Sequence, residues 1–242
     1  MRLMERISSW IREQVESAGA AGIVVGLSGG IDSAVVAVLA KKALGDNVLA
    51  LIMPCHSRPE DEIDAALVAD AFQIRREKVD LSPVYDVLLK QLPEAGELCK
   101  ANLKPRLRMT TLYYFANKMN YLVAGTGNKS EILVGYFTKY GDGGVDILPI
   151  GDLTKTQVRK LAEQLKIPKR IIDRPPSAGL WSGQTDEEEM NITYKDLDKI
   201  ITSLEKRKEP KVAKSQVSYV KGMIARSRHK RCPPPIFHLK SV

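Results

Sequence analysis

The sequence predicts an α/β fold built on a doubly wound, parallel sheet of five strands with helices on both faces. Three observations carry that expectation. Short apolar runs rich in β-branched residues alternate with helical patterns, the signature of strand–helix–strand units. Each run is bounded by glycine or polar turn residues, as strands buried on both faces are. One run, residues 23–27, opens directly into Ser28-Gly29-Gly30 and a helix. The 242 residues, 44% hydrophobic and 27% charged, are enough to bury a full core.

Each element can be justified in order. Leu3, Ile7, Trp10, Ile11 and Val15 fall at helical spacing, and Gly19 and Gly22 end that helix. Trp10, Ile7 and Ile11 are read as packing positions. After strand 1 at 23–27, an apolar helix covers 32–44 and stops at Gly45. Strand 2 is expected at 48–54, and a helix with acidic residues in its first turn at 59–72. Strand 3 is placed at 78–81. Pro83, Pro93 and Pro105 then punctuate short helical patterns over 82–104, and a helix runs over 106–118. Strand 4, at 121–126, ends in Gly125-Thr126-Gly127, and strand 5 is expected at 145–150. A helix capped by Thr154 covers 154–165, and 171–186 reads as an irregular loop. Helices near 186–206 and 215–228 precede Pro233-Pro234-Pro235. With no internal repeat, a single unit over 1–242 is expected, its core at about 20–170 and a helical C-terminal segment at 186–232.

Charge and cysteine usage narrow the class. The net charge of +8 is concentrated: residues 204–242 hold 11 Lys/Arg against 2 Asp/Glu, leaving 26 against 27 in residues 1–203. A basic C-terminal segment asks for an anionic partner. No apolar run approaches the ~20 residues of a membrane span, and the charged N-terminus does not read as a signal peptide. Cys55, Cys99 and Cys232 form no CxxC pair, which points to a reducing cytoplasm rather than disulfides or zinc.

The string Gly26-Leu27-Ser28-Gly29-Gly30-Ile31-Asp32-Ser33 carries the chemistry. Glycines there let backbone N–H groups wrap an anion, and the helix N-terminus behind them adds a favourable dipole. The string is neither GxxxxGK[ST] nor GxGxxG. Asp32 adds a carboxylate suited to Mg²⁺. A plain glycine-rich turn with Asp32 as a helix cap is the bland alternative.

SGGIDS resembles the pyrophosphate-binding loop of the N-type ATP pyrophosphatases, enzymes of Rossmann-like fold that adenylate a substrate and let a nucleophile displace AMP. Further strings resemble the NAD synthetase family within that group: Gly125-Thr126-Gly127-Asn128-Lys129-Ser130-Glu131, residues 135–146 (GYFTKYGDGGVD), Leu153-Thr154-Lys155, Pro176-Ser177-Ala178-Gly179-Leu180 and His229-Lys230-Arg231. The resemblance runs from about residue 5 to 235. It is nearest to the ammonia-dependent form, since no glutaminase domain is recognisable.

The resemblance implies ATP-dependent amidation of deamido-NAD⁺ with ammonia, through an acyl-adenylate, releasing pyrophosphate and AMP. It implies ATP contacts at residues 26–33, Thr126, Lys155 and Ser177, and Mg²⁺ held by Asp32 and Glu131. Deamido-NAD⁺ would be held by Arg106, Lys139, Asp146, His229 and Lys230. Asp32, Lys139 and Lys155 would act by positioning, with no acid, base or nucleophile. If the strand order is 3-2-1-4-5, Asp32 and Glu131 face one crevice at the switch point. A homodimer is implied, with neither nucleic acid nor membrane as partner. The sequence departs from the family pattern at Pro105 and at Asn191, where Asn tolerates the left-handed turn that Gly would make. Cys55 and His56 read as lining of an adenosine pocket, and 82–104 and 178–190 as lids over substrate. The competing enzyme reading is a tRNA-modifying ATP pyrophosphatase using the basic tail. A non-catalytic nucleotide-binding module is the third.

Overall fold

A computed structural model describes residues 2–177, 179 and 183–239. The first helix, α1 (Leu3–Ser17), leads into β1 (Gly22–Gly26), α2 (Ile31–Leu44), β2 (Val48–Ile52), α3 (Pro59–Ala71) and β3 (Arg75–Lys78). Next come α4 (Ser82–Gln91), α5 (Glu97–Ala101), α6 (Leu103–Met119), β4 (Tyr121–Ala124) and α7 (Lys129–Val134). The remaining helices are α8 (Lys155–Gln164), α9 (Lys169–Asp173), α10 (Asp186–Met190), α11 (Tyr194–Glu205), α12 (Lys214–Arg226) and α13 (Arg228–Arg231).

The four strands form one parallel sheet in the order β3-β2-β1-β4. Side chains alternate across it. Ile23 and Val25 point into a core shared with α1, α2, α3 and α8, while Val24, Leu49 and Val123 point to the opposite face against α4 and α6. Helices on both faces thus bear out the α/β reading. The residues of α2 from Ala34 to Ala40 are at most 1% exposed. That explains its all-round apolar sequence: it lies between the sheet, α1 and α8. Ile11 is fully buried and Ile7 packs beside it, so α1 is a packing helix against α2. A third cluster joins Val134 of α7 to Met190, Leu197, Ile200 and Val220 of α10–α12.

Four expectations need correction. Strand 5 is reduced to one parallel bridge, Ala124 to Ile147. The Asp146 carboxylate takes the Val123 N–H at 2.7 Å, and Pro149 has no N–H to extend a ladder. Strand 3 is Arg75–Lys78, earlier than 78–81. The apolar signal at Val79 and Leu81 belongs to residues that come after the strand and bond the Ile52 and Pro54 carbonyls. The helix expected over 186–206 is broken at Asn191, which takes φ 50° and ψ 34°, the left-handed turn anticipated there. The loop expected at 171–186 begins inside α9, and Ala178 and residues 180–182 lie outside the described residues. Pro105 sits in the first turn of α6, where its missing N–H costs nothing.

Candidate functional site

The phosphate loop leaves β1 and enters α2. The Leu27 N–H continues the ladder to the Leu51 carbonyl at 2.8 Å, and beyond it the chain turns at Gly29, φ +80°. A Cβ on Gly29 would lie 2.5 Å from the Asp61 carbonyl oxygen and 3.0 Å from the Asp64 Cβ, so α3 packs directly under the loop. Ser33 braces it: its Oγ accepts from the Ser28 N–H (3.2 Å) and donates to the Gly30 carbonyl (2.9 Å). The loop is therefore preshaped, with the first turn of α2 behind it.

Asp32, in that turn, meets Lys155 and Glu131. Lys155 Nζ stands 2.5 Å from Asp32 Oδ2 and 3.1 Å from Glu131 Oε1. These three residues are far apart in sequence; the neighbouring strands β1 and β4 bring the start of α2 near that of α7, and α8 packs on α2. Asn128 joins them. Its side chain is fully buried, donates to Asp32 Oδ1 at 3.0 Å, and accepts from the Glu131 N–H at 3.1 Å as the cap of α7.

A second layer surrounds the cluster. The Tyr194 hydroxyl donates toward Glu131 Oε1 (3.1 Å) and Asp186 Oδ2 (2.9 Å), and its ring lies under Lys155 Nζ. Tyr136 reaches Asp186 and Glu189 at 3.1 and 2.8 Å. Ser130 Oγ accepts from the Lys155 N–H and donates to Asp198 Oδ1, which fixes the start of α8. Sequence reasoning missed Tyr136, Asp186, Tyr194 and Asp198. Asn128 had a signal as a cap-type residue between Gly127 and Lys129, and Tyr136 as a member of the 135–146 string; Asp186, Tyr194 and Asp198 had none.

Burial sets the electrostatics. Burial pulls Lys155 down, yet Asp32 and Glu131 outweigh it and hold the ammonium above its ordinary range. Burial lifts Glu131 to about 7 against the pull of Lys155, with Asp32 and Asp186 adding to the rise. Asp186 is raised by burial too. One ammonium faces three carboxylates, so the pocket has acidic oxygens to spare for a second cation. Hard oxygens from one or two carboxylates, completed by phosphates, are what Mg²⁺ takes. Among the described residues no group of three His, Cys, Asp or Glu is arranged to hold a metal ion.

Of the other expected ATP contacts, Thr126 is half-buried in the loop leaving β4. Ser177 accepts the Gly179 N–H at 3.1 Å, one residue past Pro176, whose carbonyl takes the Asp186 N–H.

Four of the five residues expected to hold the second substrate gather around the loop from Gly135 to Gly144. Arg106 Nη2 donates to the Lys139 carbonyl (3.4 Å), and Lys139 Nζ donates to the His229 carbonyl (2.7 Å). Lys230 Nζ donates to the carbonyls of Gly135 and Phe137, each 2.8 Å away, and burial lowers its pKa. Gly135, φ +75°, has room for no side chain, because a Cβ would lie 2.1 Å from that of Ser227. Asp146 stands apart at the sheet edge, where it holds Val123 and the Tyr113 hydroxyl (2.9 Å).

The family profile described as NAD synthase matches residues 3–234. An NH₃-dependent NAD⁺ synthetase of Carboxydothermus hydrogenoformans is 51% identical, over 96% of this chain and 95% of its own. One from Archaeoglobus fulgidus is 50% identical over 100% and 98%. Among solved structures, an NMN synthetase from Francisella tularensis superposes with a TM-score of 0.91 at 38% identity, covering 98% of both chains. An NH₃-dependent NAD synthetase from Campylobacter jejuni gives 0.86 at 31%, covering 98% of this chain and 100% of its own.

Proposed function

This chain belongs to the NAD synthase family, and from that premise we propose that it condenses deamido-NAD⁺ with ammonia at the expense of ATP, forming NAD⁺, AMP and pyrophosphate. The observation that carries the reading is the Lys155 ammonium between Asp32 and Glu131, at the N-terminus of α2 and beside a preshaped anion loop.

Each residue then has a task. Backbone N–H groups in the loop and in the first turn of α2 take the β- and γ-phosphates, which leave as pyrophosphate. Lys155 turns from the two carboxylates to the phosphates as a compact point charge. Asp32 and Glu131 would be the residues to hold Mg²⁺, which would supply neutralisation of phosphate charge. Thr126 and Ser177 offer hydroxyls to the nucleotide. Arg106, Lys139, His229 and Lys230 orient deamido-NAD⁺ so that a nicotinate carboxylate oxygen attacks the α-phosphorus and expels pyrophosphate. Ammonia then attacks the acyl carbon, AMP leaves, and a proton passes to solvent. Positioning and charge neutralisation account for the rate.

The exposed apolar side chains Val84, Val87 and Leu98 on α4 and α5 support a pairing of two copies through helical faces. Nothing in the comparisons favours the tRNA-modifying alternative.

The test is direct: ATP, Mg²⁺, ammonium and deamido-NAD⁺, with NAD⁺ and AMP measured together. Equimolar NAD⁺ and AMP are expected. No NAD⁺ overturns the reading, and a parallel arm with the mononucleotide acid separates it from the activity named for the Francisella relative.

A further inference from the structure

Beneath the phosphate loop lies a second charged cluster, which the amidation chemistry leaves unused. Asp61 and Asp64 of α3 support Gly29 from below: the Asp61 carbonyl and the Asp64 Cβ are what a side chain at Gly29 would strike. Their carboxylates pair with arginines: Arg58 lies on Asp61, Arg170 on Asp64, and Arg174 alone bridges the two. Arg174 Nη1 stands 2.9 Å from Asp64 Oδ2, and its Nη2 pairs with Asp61 Oδ1. Arg170 Nε adds an ion pair to the other Asp64 oxygen at 2.7 Å. Asp64 is 2% exposed, so this fork is not a surface pair that solvent screens away.

The two prolines after Arg174 give the grip a purpose. Pro175 confines Arg174 to extended backbone, observed at φ −65° and ψ 133°. Pro175 and Pro176 each fix their own φ. A stiff arm of two prolines therefore runs from Arg174 to Ser177. Its far end is closed by the Asp186 N–H on the Pro176 carbonyl at 3.1 Å, and Asp186 is held by Tyr194 and Tyr136 in the layer around Glu131. The arm is thus tied at one end to the underside of the phosphate loop and at the other to the Asp32–Lys155–Glu131 cluster.

We propose that Arg174 is a positioning residue for the nucleotide: gripped by Asp61 and Asp64 under Gly29, it sets Ser177 at a fixed place against the phosphate loop. The proposal deepens the amidation reading at its ATP subsite. Arg174 touches no substrate and acts through Ser177. Lysine does not reproduce the grip, because Arg174 engages the two carboxylates through separate nitrogens of one planar fork, Nη1 on Asp64 and Nη2 on Asp61.

The experiment is a double-mutant cycle on ATP affinity, measured by calorimetry with Mg²⁺, alongside steady-state kcat and KM for both substrates. Ser177→Ala is expected to weaken ATP by roughly tenfold in the wild-type background, the scale of one hydrogen bond to a charged group. In the Arg174→Ala background the same change should cost less than about twofold, since Ser177 is already displaced. KM for deamido-NAD⁺ should stay within about twofold throughout, a split that general loosening of the fold would not give. Arg174→Lys and Asp61→Asn repeat the cycle with milder changes, so an unfolded Arg174→Ala does not block it. Equal losses from Ser177→Ala in both backgrounds overturn the proposal. Absence of any Ser177→Ala effect on ATP overturns it as well. The amidation reading stands or falls separately, on NAD⁺ formation by the wild-type protein.

Discussion

Asn128→Asp isolates the contact between the cap of α7 and the acid of the phosphate loop. Asparagine and aspartate cap helices equally well, so the Glu131 N–H keeps its acceptor at 3.1 Å. What changes is the donor 3.0 Å from Asp32 Oδ1, which becomes an oxygen at a fully buried position. Two carboxylates at that separation would repel by about 5–6 kcal/mol at an effective dielectric near 20, and Lys155 is already shared between Asp32 and Glu131. The introduced carboxyl avoids the repulsion by keeping a proton, which also restores a donor to Asp32. Its pKa in the folded protein therefore rises above the ~3.9 of an unfolded aspartate. The folded state then binds the extra proton, so stability is lost as pH climbs from the unfolded value toward the folded one. Relative to wild type, the loss is about 1.5 kcal/mol at pH 5 and about 4 kcal/mol at pH 7. Urea unfolding of both proteins between pH 5 and 8, in EDTA and without nucleotide, reads it. A pH-independent difference between the two would refute the reasoning, because the new carboxyl would then be titrating as if in water.

Other perturbations test neighbouring parts of the site. Asp32→Asn and Glu131→Gln should each lower NAD⁺ formation by at least ~100-fold, the scale of a lost electrostatic partner, with circular dichroism unchanged. Gly29→Ala forces a side chain into φ +80° and against the Asp61 carbonyl; the backbone alone costs about 1–2 kcal/mol, so a lowered unfolding midpoint and weaker ATP binding are expected. Lys139→Ala should raise KM for deamido-NAD⁺ roughly tenfold, the scale of one charged hydrogen bond, while KM for ATP is unmoved. In the native protein a thiol reagent should modify Cys99 and Cys232 quickly and Cys55 slowly, since burial shields the Cys55 thiol and pushes its pKa up.

Legibility tracked the range of the interaction. The phosphate loop is a local device, so its string of eight residues was readable before any fold was known. Asp32, Glu131 and Lys155 were readable as members of strings, and the parallel topology explains why separated strings converge. Asn128 could be seen as a cap but not as the partner of Asp32, a contact between residues 96 apart. Arg174 with Asp61 and Asp64 left no trace, because charged residues on α3 and after α9 look like any solvated surface until α3 is known to underlie Gly29. Strand 3 was misplaced for a related reason. Its residues, Arg75 to Lys78, are charged, and ion pairs such as Lys78 with Glu62 at 2.5 Å suit a rim position that hydrophobicity cannot reveal.

The shortened fifth strand constrains how copies of this chain can meet. Beyond β4, the N–H of Gly125 is taken by Ile147, those of Asp146 and Ile147 by the Val123 carbonyl, and that of Val123 by the Asp146 carboxylate. This margin of the sheet is thereby sealed by a side chain and a turn. The opposite margin, β3, is four residues long and carries only charged side chains. Being short and charged, that edge is a poor template for an incoming strand. Both margins are thus poor templates for sheet-to-sheet pairing, which leaves the helical surfaces as the better-suited ground for any contact between folded copies.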